Sequence, residues 1–452
     1  MAPQSLTDYE RKRLENIKRN EQMMASLKVH SKSLELTSTI KRHRTEIKGN
    51  KLVKKPKPSI PTVIRRSPRI IEEKTVVTSV KTPFQEAYIG DPSEYRFLID
   101  RIMDISENDD LEKMVVVEKG DSFDLSSMIL KQENIMRFMP GQATAMEFFP
   151  CNDQSLIVVG NRRGDIVLWD ADYEGEESGE VHLFKHHKDQ ISGISIHSFS
   201  LSKVFSSGYD GLLQTLDFEK ESLDVVYSSD NAISCLSQQP QDDTSLYFSE
   251  AFGMLNVWDT RAGILSSSWK LHDDGINTIE FHPENTNLMA TGSADGKVCI
   301  WDLRRRPKNL KVVNHETSVR SAFFSPTGSA LAISTDYGVN LLKGADFMDE
   351  STIYKMDKIK NHTTFSRAIW GWNDSYLFIG NSKRGVDVIY TDGNVAKLEI
   401  SEFPFIPCRL SAHPYKVGAL AAAGGQGSIC LLNESEGLCS HFSNVDETPN
   451  IS

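Results

Sequence analysis

Seven glycines recur along this chain at nearly constant intervals. The gaps between them are 47, 42, 43, 42, 47 and 42 residues, and each glycine stands between two short apolar segments. A glycine in such a place marks a tight turn with a positive backbone dihedral φ, which glycine adopts freely. The spacing therefore predicts seven copies of one β-rich unit. The glycines are Gly164, Gly211, Gly253, Gly296, Gly338, Gly385 and Gly427.

The residues around each glycine predict four strands per unit, named a to d, with the glycine in the turn between strands b and c. Strand a ends at a proline in five units, as in AMEFFP and TIEFHP, and Trp-Asp pairs follow the turn at Trp169, Trp258 and Trp301. A repeat of roughly 40–45 residues with this signature is typical of WD repeats. The predicted fold is all-β: a seven-bladed WD-repeat β-propeller, closed so that little strand edge is exposed.

Charge divides the chain into segments. Residues 1–70 carry 18 Lys and Arg against 6 Asp and Glu, although the whole chain has a net charge of −11, so a basic arm precedes an acidic body. We expect a basic docking helix at 1–28, a basic disordered linker with a nuclear signal at 29–80 and an irregular segment at 81–139 that closes the propeller. The propeller then occupies 140–436, and a polar tail follows at 437–452. The alternative for the helix is a solvated charged surface without a partner.

The basic linker contains a short run of cations, Lys54, Lys55 and Lys57, that resembles a nuclear localisation signal. The alternative is a soluble linker without a signal. The run predicts a nuclear protein. The sequence has no stretch of 18 or more apolar residues, so we expect no membrane association.

No motif in the sequence indicates catalysis. The metalloprotease motif H-E-x-x-H does not occur, and the glycine cluster at 424–427 lacks the Gly-Lys-Ser/Thr of a phosphate-binding loop. In the fourth unit, His272, Ser293, Asp295 and Trp301 are expected to form a buried hydrogen-bonded tetrad, because buried polar groups are paired. We therefore expect a binding platform that is not an enzyme and has no cofactor and no metal.

The turns of a propeller emerge on two faces. The b–c turns and the connections from strand d to the next strand a lie on one face, here called the top, and the c–d turns lie on the bottom face. Cations of units five, six, seven and one form an arc on the top face that suits a phosphate backbone; a scattered solvated surface is the alternative. The candidate DNA-binding residues are Arg137, Arg162, Arg163, Arg320, Asn361, His362, Arg367, Lys383 and Arg384.

Two neighbouring units repeat the sequence Trp-Asp-x-Arg at the end of strand c. The arginines, Arg261 and Arg304, are expected at equivalent places in the c–d turns of units three and four, on the bottom face. Arginine suits bidentate contacts across an interface. The alternative is that each arginine merely caps its strand.

The segment LTDYERKRLENIKRNEQMMASL resembles the opening of the WD-repeat protein 76 family, whose fungal members are described as damaged-DNA-binding proteins. The stretches VVGNRRGDIVLWD, SADGKVCIWDLR and HETSVRSAFFSPTGSALAIST also resemble that family and the small subunit of the damaged-DNA-binding complex. The resemblance implies binding to double-stranded DNA, in some members damaged DNA, and a nuclear role in chromatin and DNA repair. The tandem Trp-Asp-x-Arg motif is similar to that of cullin-4 ubiquitin ligase substrate receptors, which implies that Arg261 and Arg304 contact the large adaptor subunit of the ligase.

The correspondence with the damage-binding relative is partial. That relative probes lesions with a Phe-Gln-His hairpin before strand a of its sixth unit, where this chain has Lys360, Asn361 and His362. A wedge between bases needs an apolar or aromatic side chain, so DNA binding with a modest damage preference fits better than lesion capture. Two alternatives are a chromatin-associated protein-interaction scaffold for a histone or chaperone, and a scaffold whose basic arm alone binds DNA.

Overall fold

The computed structural model describes Lys18, residues 81–108 and residues 123–434, apart from 138, 153, 174–179, 197–199, 305–306, 356–366 and 399–402. Lys18 is helical and exposed. The remainder of the predicted docking helix, the linker with Lys54, Lys55 and Lys57, and the polar tail lie outside the described residues. The top-face candidates Asn361 and His362 also lie outside them.

The segment before the first blade contains more regular structure than the irregular segment predicted from the sequence. It forms β1 (Lys81–Pro83), α1 (Phe84–Ala87), α2 (Pro92–Asn108), β2 (Met128–Ile129) and β3 (Ile135–Met136). Helix α2 is amphipathic: Tyr95, Leu98, Ile102 and Ile105 recur at helical spacing and are buried. These side chains pack against the outer parts of blades 1 and 2.

Seven antiparallel sheets follow, and in blades 1 to 6 the strands a to d are in chain order. Blades 1 to 3 comprise β4 (Ala143–Phe148), β5 (Leu156–Asn161), β6 (Asp165–Asp170), β7 (Glu180–Lys185); β8 (Ile191–Ile196), β9 (Lys203–Gly208), β10 (Leu212–Asp217), β11 (Ser222–Ser228); and β12 (Ile233–Gln238), β13 (Ser245–Glu250), β14 (Met254–Asp259), β15 (Ile264–Lys270).

Blades 4 to 6 repeat this arrangement, and blade 7 takes its last strand from elsewhere in the chain. They comprise β16 (Ile276–Phe281), β17 (Leu288–Ser293), β18 (Lys297–Asp302), β19 (Lys308–Asn314); β20 (Val319–Phe324), β21 (Leu331–Thr335), β22 (Gly338–Lys343), β23 (Asp349–Lys355); β24 (Ile369–Trp370), β25 (Tyr376–Asn381), β26 (Gly385–Tyr390), β27 (Val395–Lys397); and β28 (Pro407–Ala412), β29 (Leu420–Gly424), β30 (Ile429–Glu434). The predicted seven-bladed β-propeller is confirmed.

The ring is closed by residues that precede blade 1. Strands β2 and β3 pair antiparallel with β30 and so take the place of strand d in blade 7. Strand β1 adds a fifth strand to blade 2 by pairing with β11. The first strands of successive blades contact one another around the whole ring, including β28 of blade 7 with β4 of blade 1. The core lies between the blades, as where buried Trp169 of blade 1 packs with Ala421 and Leu431 of blade 7.

The periodic glycines hold the b–c turns against the connections from strand d to strand a. The carbonyl of Gly164 accepts a hydrogen bond from the backbone N–H of His187 at 2.7 Å, and the carbonyl of Gly427 accepts one from Met139 at 3.2 Å. A Cβ at either glycine would overlap the carbonyl oxygen of that same partner, and both glycines have positive φ, +90° and +81°. Glycine is therefore required by the close approach as well as by the turn.

The buried tetrad of blade 4 differs from the predicted one by one member. The Nδ1 atom of His272 lies 3.1 Å from Asp295, and its Nε2 atom lies 2.7 Å from the hydroxyl of Thr291, which also accepts a hydrogen bond from Trp301. Ser293 instead donates to the carbonyl of residue 275. The prediction of Ser293 was wrong because strand b places Thr291, and not Ser293, beside both rings.

A pair of glycine substitutions in one turn tests the role of the backbone contact. We expect Gly427→Ala to lower the free energy of unfolding by at least about 2 kcal/mol, because alanine must adopt positive φ and displace Met139. Gly425→Ala is the matched control, since a Cβ there meets no atom within 4 Å. Urea unfolding followed by tryptophan fluorescence measures both. Equal effects of the two substitutions would contradict the role of the contact.

Candidate nucleic-acid interface

The b–c turn of blade 1 presents two arginines on the top face. Asn161, at the end of β5, is buried, and its side-chain oxygen accepts hydrogen bonds from the backbone N–H groups of Arg163 and Asp165 at 2.8 and 2.9 Å. Its amide group donates to the carbonyl of Pro140 at 2.6 Å. This network fixes the turn, and Arg162 and Arg163 remain exposed. Neither arginine forms an ion pair within the described part of the chain.

The b–c turn of blade 6 is built in the same way. Asn381, at the end of β25, accepts a hydrogen bond from the backbone N–H of Lys383 at 2.9 Å and donates to Asp387 at 2.6 Å. Arg384 has the positive φ, +59°, and Gly385 does not. The turn has three residues between β25 and β26, as that of blade 1 has between β5 and β6, and the left-handed third position is Arg384 where blade 1 has Gly164. Lys383 and Arg384 are both exposed.

Blade 7 lies between these two turns in the ring. Its own b–c turn, 424–427, contains three glycines and presents little side-chain bulk. Arg137 follows β3, which runs beside β30, and is exposed close to the Gly427 turn. The five exposed cations Arg137, Arg162, Arg163, Lys383 and Arg384 thus follow the top of blades 6, 7 and 1, and are called the cationic rim here.

Two predicted members of the arc are placed differently from the rim. Arg320 is three-quarters buried and forms an ion pair with Asp336 of its own blade, with a distance of 2.7 Å between Nε and Oδ1. Arg367 lies inside the central channel, where its guanidinium donates to the carbonyl of Asn277 at 3.2 Å. The sequence indicated the top edge correctly but not the direction of this side chain, because an arginine near the start of strand a also borders the channel.

The opposite half of the top face is acidic. Asp230, Asp273 and Asp274 are exposed in the connections that precede blades 3 and 4, and Asp273 is 2.8 Å from the amino group of Lys297. Two other acids of blades 3 and 4 have structural roles: Glu250 accepts a hydrogen bond from Tyr227, and Asp295 belongs to the tetrad. The top face therefore has a cationic half and an anionic half.

Sequence reasoning missed three exposed residues that extend the cationic half toward blade 2. Lys185 ends β7, Lys188 follows in the connection to blade 2, and Tyr209 projects from the turn of blade 2 with 45% of its surface exposed. The signal was present in the sequence, since all three lie beside the predicted turns.

On the bottom face, the two Trp-Asp-x-Arg arginines are not equivalent. Arg304 forms a bidentate ion pair with Asp302, with distances of 2.5 to 3.1 Å, and this contact lowers the pKa of Asp302 to about 2. Arg261 is exposed, and only its backbone N–H is bonded to Asp259, at 3.0 Å, among the contacts of the described residues. Both stand at the start of a c–d turn, as expected.

The central channel has a volume of about 620 Å³ and is lined by the first strands of the blades. Glu147 of blade 1 and Glu280 of blade 4 border it. Burial, together with the nearby Glu280 carboxyl, raises the pKa of Glu147 to about 8, and burial raises that of Glu280 to about 8. Both carboxyl groups are therefore mostly protonated at neutral pH.

None of the helices in the described part of the chain has the length and apolar composition needed to cross a membrane. No cluster of three or more His, Cys, Asp or Glu side chains in this part of the chain is arranged to hold a metal ion.

Comparison with known proteins defines the class first. A family model for the WD domain, G-beta repeat, matches residues 263–302, which run from strand d of blade 3 through strand c of blade 4. With the seven four-stranded sheets, this match defines a WD-repeat β-propeller, a class of scaffold that is typically non-catalytic.

Several known proteins are similar to this chain over most of its length. WD repeat-containing protein 76 of Xenopus laevis is 26% identical over 434 residues, which cover 88% of this chain and 74% of the relative. The protein of the same name from Mus musculus is 24% identical, with 95% and 75% covered. DNA damage-binding protein cmr1 of Aspergillus clavatus is 24% identical over 66% of each chain. The chain is thus similar to the family of WD repeat-containing protein 76 and DNA damage-binding protein CMR1, at about 25% identity over most of its length, which confirms the resemblance found in the sequence.

The two channel glutamates predict how stability depends on pH. Their folded-state pKa of about 8 exceeds the ordinary value of 4.5, so between these values the folded chain binds more protons than the unfolded chain. The two protonated carboxyls therefore stabilise the folded chain fully below about pH 4.5, and this stabilisation is lost as the pH rises toward 8.

We therefore expect Glu147→Gln with Glu280→Gln to be more stable than the wild type at pH 8.5, by on the order of 1–3 kcal/mol. The difference should shrink at pH 5. Urea unfolding across this range measures it, with exposed Glu316→Gln as the control. If the free energy of unfolding depends on pH in the same way in the double variant and the wild type, the two carboxyls have ordinary pKa values in the folded chain.

Proposed function

We propose that this protein is a nuclear DNA-binding propeller that contacts duplex DNA through the cationic rim. The observation that carries the proposal is the pair of matching turns in blades 1 and 6, in which an asparagine at the end of strand b fixes the backbone and leaves two adjacent cations exposed. The names of the fungal relatives, DNA damage-binding proteins, support the same ligand.

The geometry of the rim suits a phosphate backbone. Arg162 with Arg163, and Lys383 with Arg384, stand on either side of the glycine turn of blade 7. A turn with Gln426 as its one side chain larger than glycine permits close approach of a rigid duplex, while the flanking cations contact phosphates. Each neutralised phosphate releases counterions, so binding should be strongly salt-dependent and only weakly dependent on sequence.

We propose only a modest preference for damaged over undamaged duplex DNA. The segment with Lys360, Asn361 and His362 provides no aromatic wedge, and Tyr209 stands at the edge of the cationic half. An exposed aromatic ring can stack on an unpaired base, which favours duplexes whose stacking is already weakened. Asn361 and His362 are proposed as accessory DNA contacts.

Charge reversal in the rim tests the DNA interface. We expect Arg162→Glu with Arg163→Glu, or Lys383→Glu with Arg384→Glu, to weaken duplex binding at least about tenfold near 0.1 M salt and to reduce the salt slope by about 2. Fluorescence anisotropy of a labelled duplex over a range of salt concentrations measures both quantities.

The control for this experiment is Arg261→Glu with Arg304→Glu, which makes the same change in net charge on the bottom face. Equal weakening by the control would mean that total charge, and not the rim, governs binding. Full retention of binding by both rim variants would assign the DNA to the basic arm at residues 1–80, which these variants leave intact.

We also propose that the bottom face docks to the large adaptor subunit of a cullin-4 ubiquitin ligase, with the protein acting as a substrate receptor. The support is the tandem Trp-Asp-x-Arg motif, whose two arginines start the c–d turns of adjacent blades. The side chain of Arg261, which has no bonded partner among the described residues, can bind a carboxylate of the adaptor. The side chain of Arg304 would have to bind such a carboxylate in addition to Asp302.

Alanine substitution tests the docking. We expect Arg261→Ala to reduce co-purification of the adaptor more than Arg304→Ala does, because the Arg304 side chain is already bound to Asp302. Quantitative pull-down of the adaptor from nuclear extract measures this, with Arg162→Ala as a top-face control. Unchanged recovery of the adaptor by the double variant Arg261→Ala with Arg304→Ala would rule out docking through these turns.

A second partner class, a basic protein such as a histone, is favoured by one observation. Asp230 and Asp274 are exposed on the anionic half of the top face, away from the rim. A lysine-rich tail complements this half electrostatically. If histone peptides still bind the rim variants but no longer bind the variant with Asp230→Lys and Asp274→Lys, the cationic and anionic halves of the top face have different partners.

A further inference from the structure

The b–c turn of blade 3 carries a phenylalanine where the turns of blades 2 and 4 carry an aspartate. Phe252 stands directly before the turn glycine, as Asp210 and Asp295 do in their own turns. Those two carboxylates bind histidines of the neighbouring connections, at 2.9 and 3.1 Å. The connection before blade 3 has Ser229 at the position of the histidine, four residues before strand a. Blade 3 therefore lacks this carboxylate–histidine pair, and Phe252 does not have the structural role of the two aspartates.

Phe252 is held in a conformation that is unfavourable for its residue type. Its backbone dihedrals, φ +65° and ψ +26°, lie in the left-handed region, and 68% of its surface is exposed. A residue with a Cβ atom is strained in this region, and an exposed aromatic ring gains little from burial. Glycine would satisfy the same backbone without either cost. The ring therefore serves a contact that the described residues do not provide.

Hydrogen bonds hold this turn between two connections of the top face. On one side, the backbone N–H of Ala251 donates to the carbonyl of Ala232 at 3.2 Å. On the other side, the carbonyl of Gly253 accepts the N–H of His272 at 3.2 Å. The ring of Phe252 thus projects from a fixed point between the connection that precedes blade 3 and the connection that precedes blade 4.

Both of these connections are acidic. Asp230 lies in the first, Asp273 and Asp274 lie in the second, and all three are exposed. Asp273 is paired with Lys297 at 2.8 Å, whereas Asp230 and Asp274 form no ion pair within the described part of the chain. An exposed aromatic ring is therefore flanked on each side by a carboxylate that can bind a cation of a partner.

We propose that Phe252 is the anchor at which the anionic half of the top face binds an arginine of a basic protein segment. The inference rests on the basic partner proposed for that half and adds the residue that is recognised. A guanidinium group is planar and weakly hydrated and stacks on an aromatic face, whereas the ammonium group of lysine is compact and strongly hydrated. Asp230 and Asp274 complement the positive charge of the segment, and the same carboxylates repel the phosphates of DNA.

Two short labelled peptides test the proposal on the full chain, one of alternating glycine and arginine and one with lysine in place of each arginine. We expect the wild type to bind the arginine peptide at least about threefold more tightly than the lysine peptide, and Phe252→Ala to remove this preference, because the stacking contact is lost. Fluorescence anisotropy at constant ionic strength measures the affinities. Equal affinity of the wild type for the two peptides overturns the proposal, and so does a preference that persists in Phe252→Ala.

The matched control is Phe97→Ala, which removes an exposed phenylalanine ring from helix α2, outside the top face. We expect this variant to keep the affinities and the arginine preference of the wild type. If it loses the preference as Phe252→Ala does, the effect does not belong to the turn of blade 3 and the proposal is overturned.

A second variant separates the contact from the stability of the fold. Phe252→Gly removes the ring and relieves the left-handed strain, so we expect it to unfold close to the wild-type urea midpoint while losing the arginine preference. A midpoint well below that of the wild type would assign the ring a structural role and overturn the proposal.

The outcomes distinguish this proposal from the function on which it rests. If both peptides lose binding in Asp230→Lys with Asp274→Lys but bind Phe252→Ala unchanged, the anionic half binds basic proteins without the anchor, and only the role of Phe252 is overturned. If neither peptide binds the wild type, both proposals are overturned. Labelled duplex DNA is the alternative occupant, and we expect its affinity to be unchanged in Phe252→Ala. Weaker duplex binding in that variant would assign Phe252 to the DNA interface and overturn the proposal.

Discussion

The hydrogen bond between a turn glycine and the connection beside it is the contact on which most of the top face depends. In blades 1, 2, 3, 4 and 7, the glycine carbonyl accepts an N–H from the connection that follows strand d, including that of His315 to Gly296 at 2.8 Å. A side chain on the glycine would prevent this approach. The bond holds the b–c turn and the d–a connection of each of these blades together, and the rim residues Arg137, Arg162 and Arg163 lie on one or the other.

With this frame fixed, the chemistry of each turn is decided by the residue at the end of strand b. An asparagine there, Asn161 or Asn381, satisfies the turn backbone and leaves the following cations free. In blades 2 and 4 an aspartate of the turn bonds a histidine of the connection instead, as Asp210 does with His187 at 2.9 Å. The electrostatic division of the top face therefore follows from how each turn satisfies its own hydrogen bonds.

The arginines of the central channel lie in a different electrostatic environment from those of the rim. On the rim, water screens the cations, so they attract a large polyanion over a distance that depends on salt. In the channel, Arg367 and Arg409 are buried and held by carbonyls, and the glutamates beyond them lose their charge through burial. The same residue type is thus screened by water in one place and buried against backbone carbonyls in the other.

The sequence by itself determined the repeat, the number of blades and the face to which each turn belongs, because glycine spacing and strand alternation are local properties. It also identified Arg162, Arg163, Lys383 and Arg384 as turn residues. Only the tertiary structure decided that helix α2 covers the outer side of two blades, that Thr291 joins the tetrad in place of Ser293 and that Arg304 is bound by Asp302. It also decided that Arg367 points into the channel, because the direction of a side chain near the start of strand a depends on the blades on either side of it.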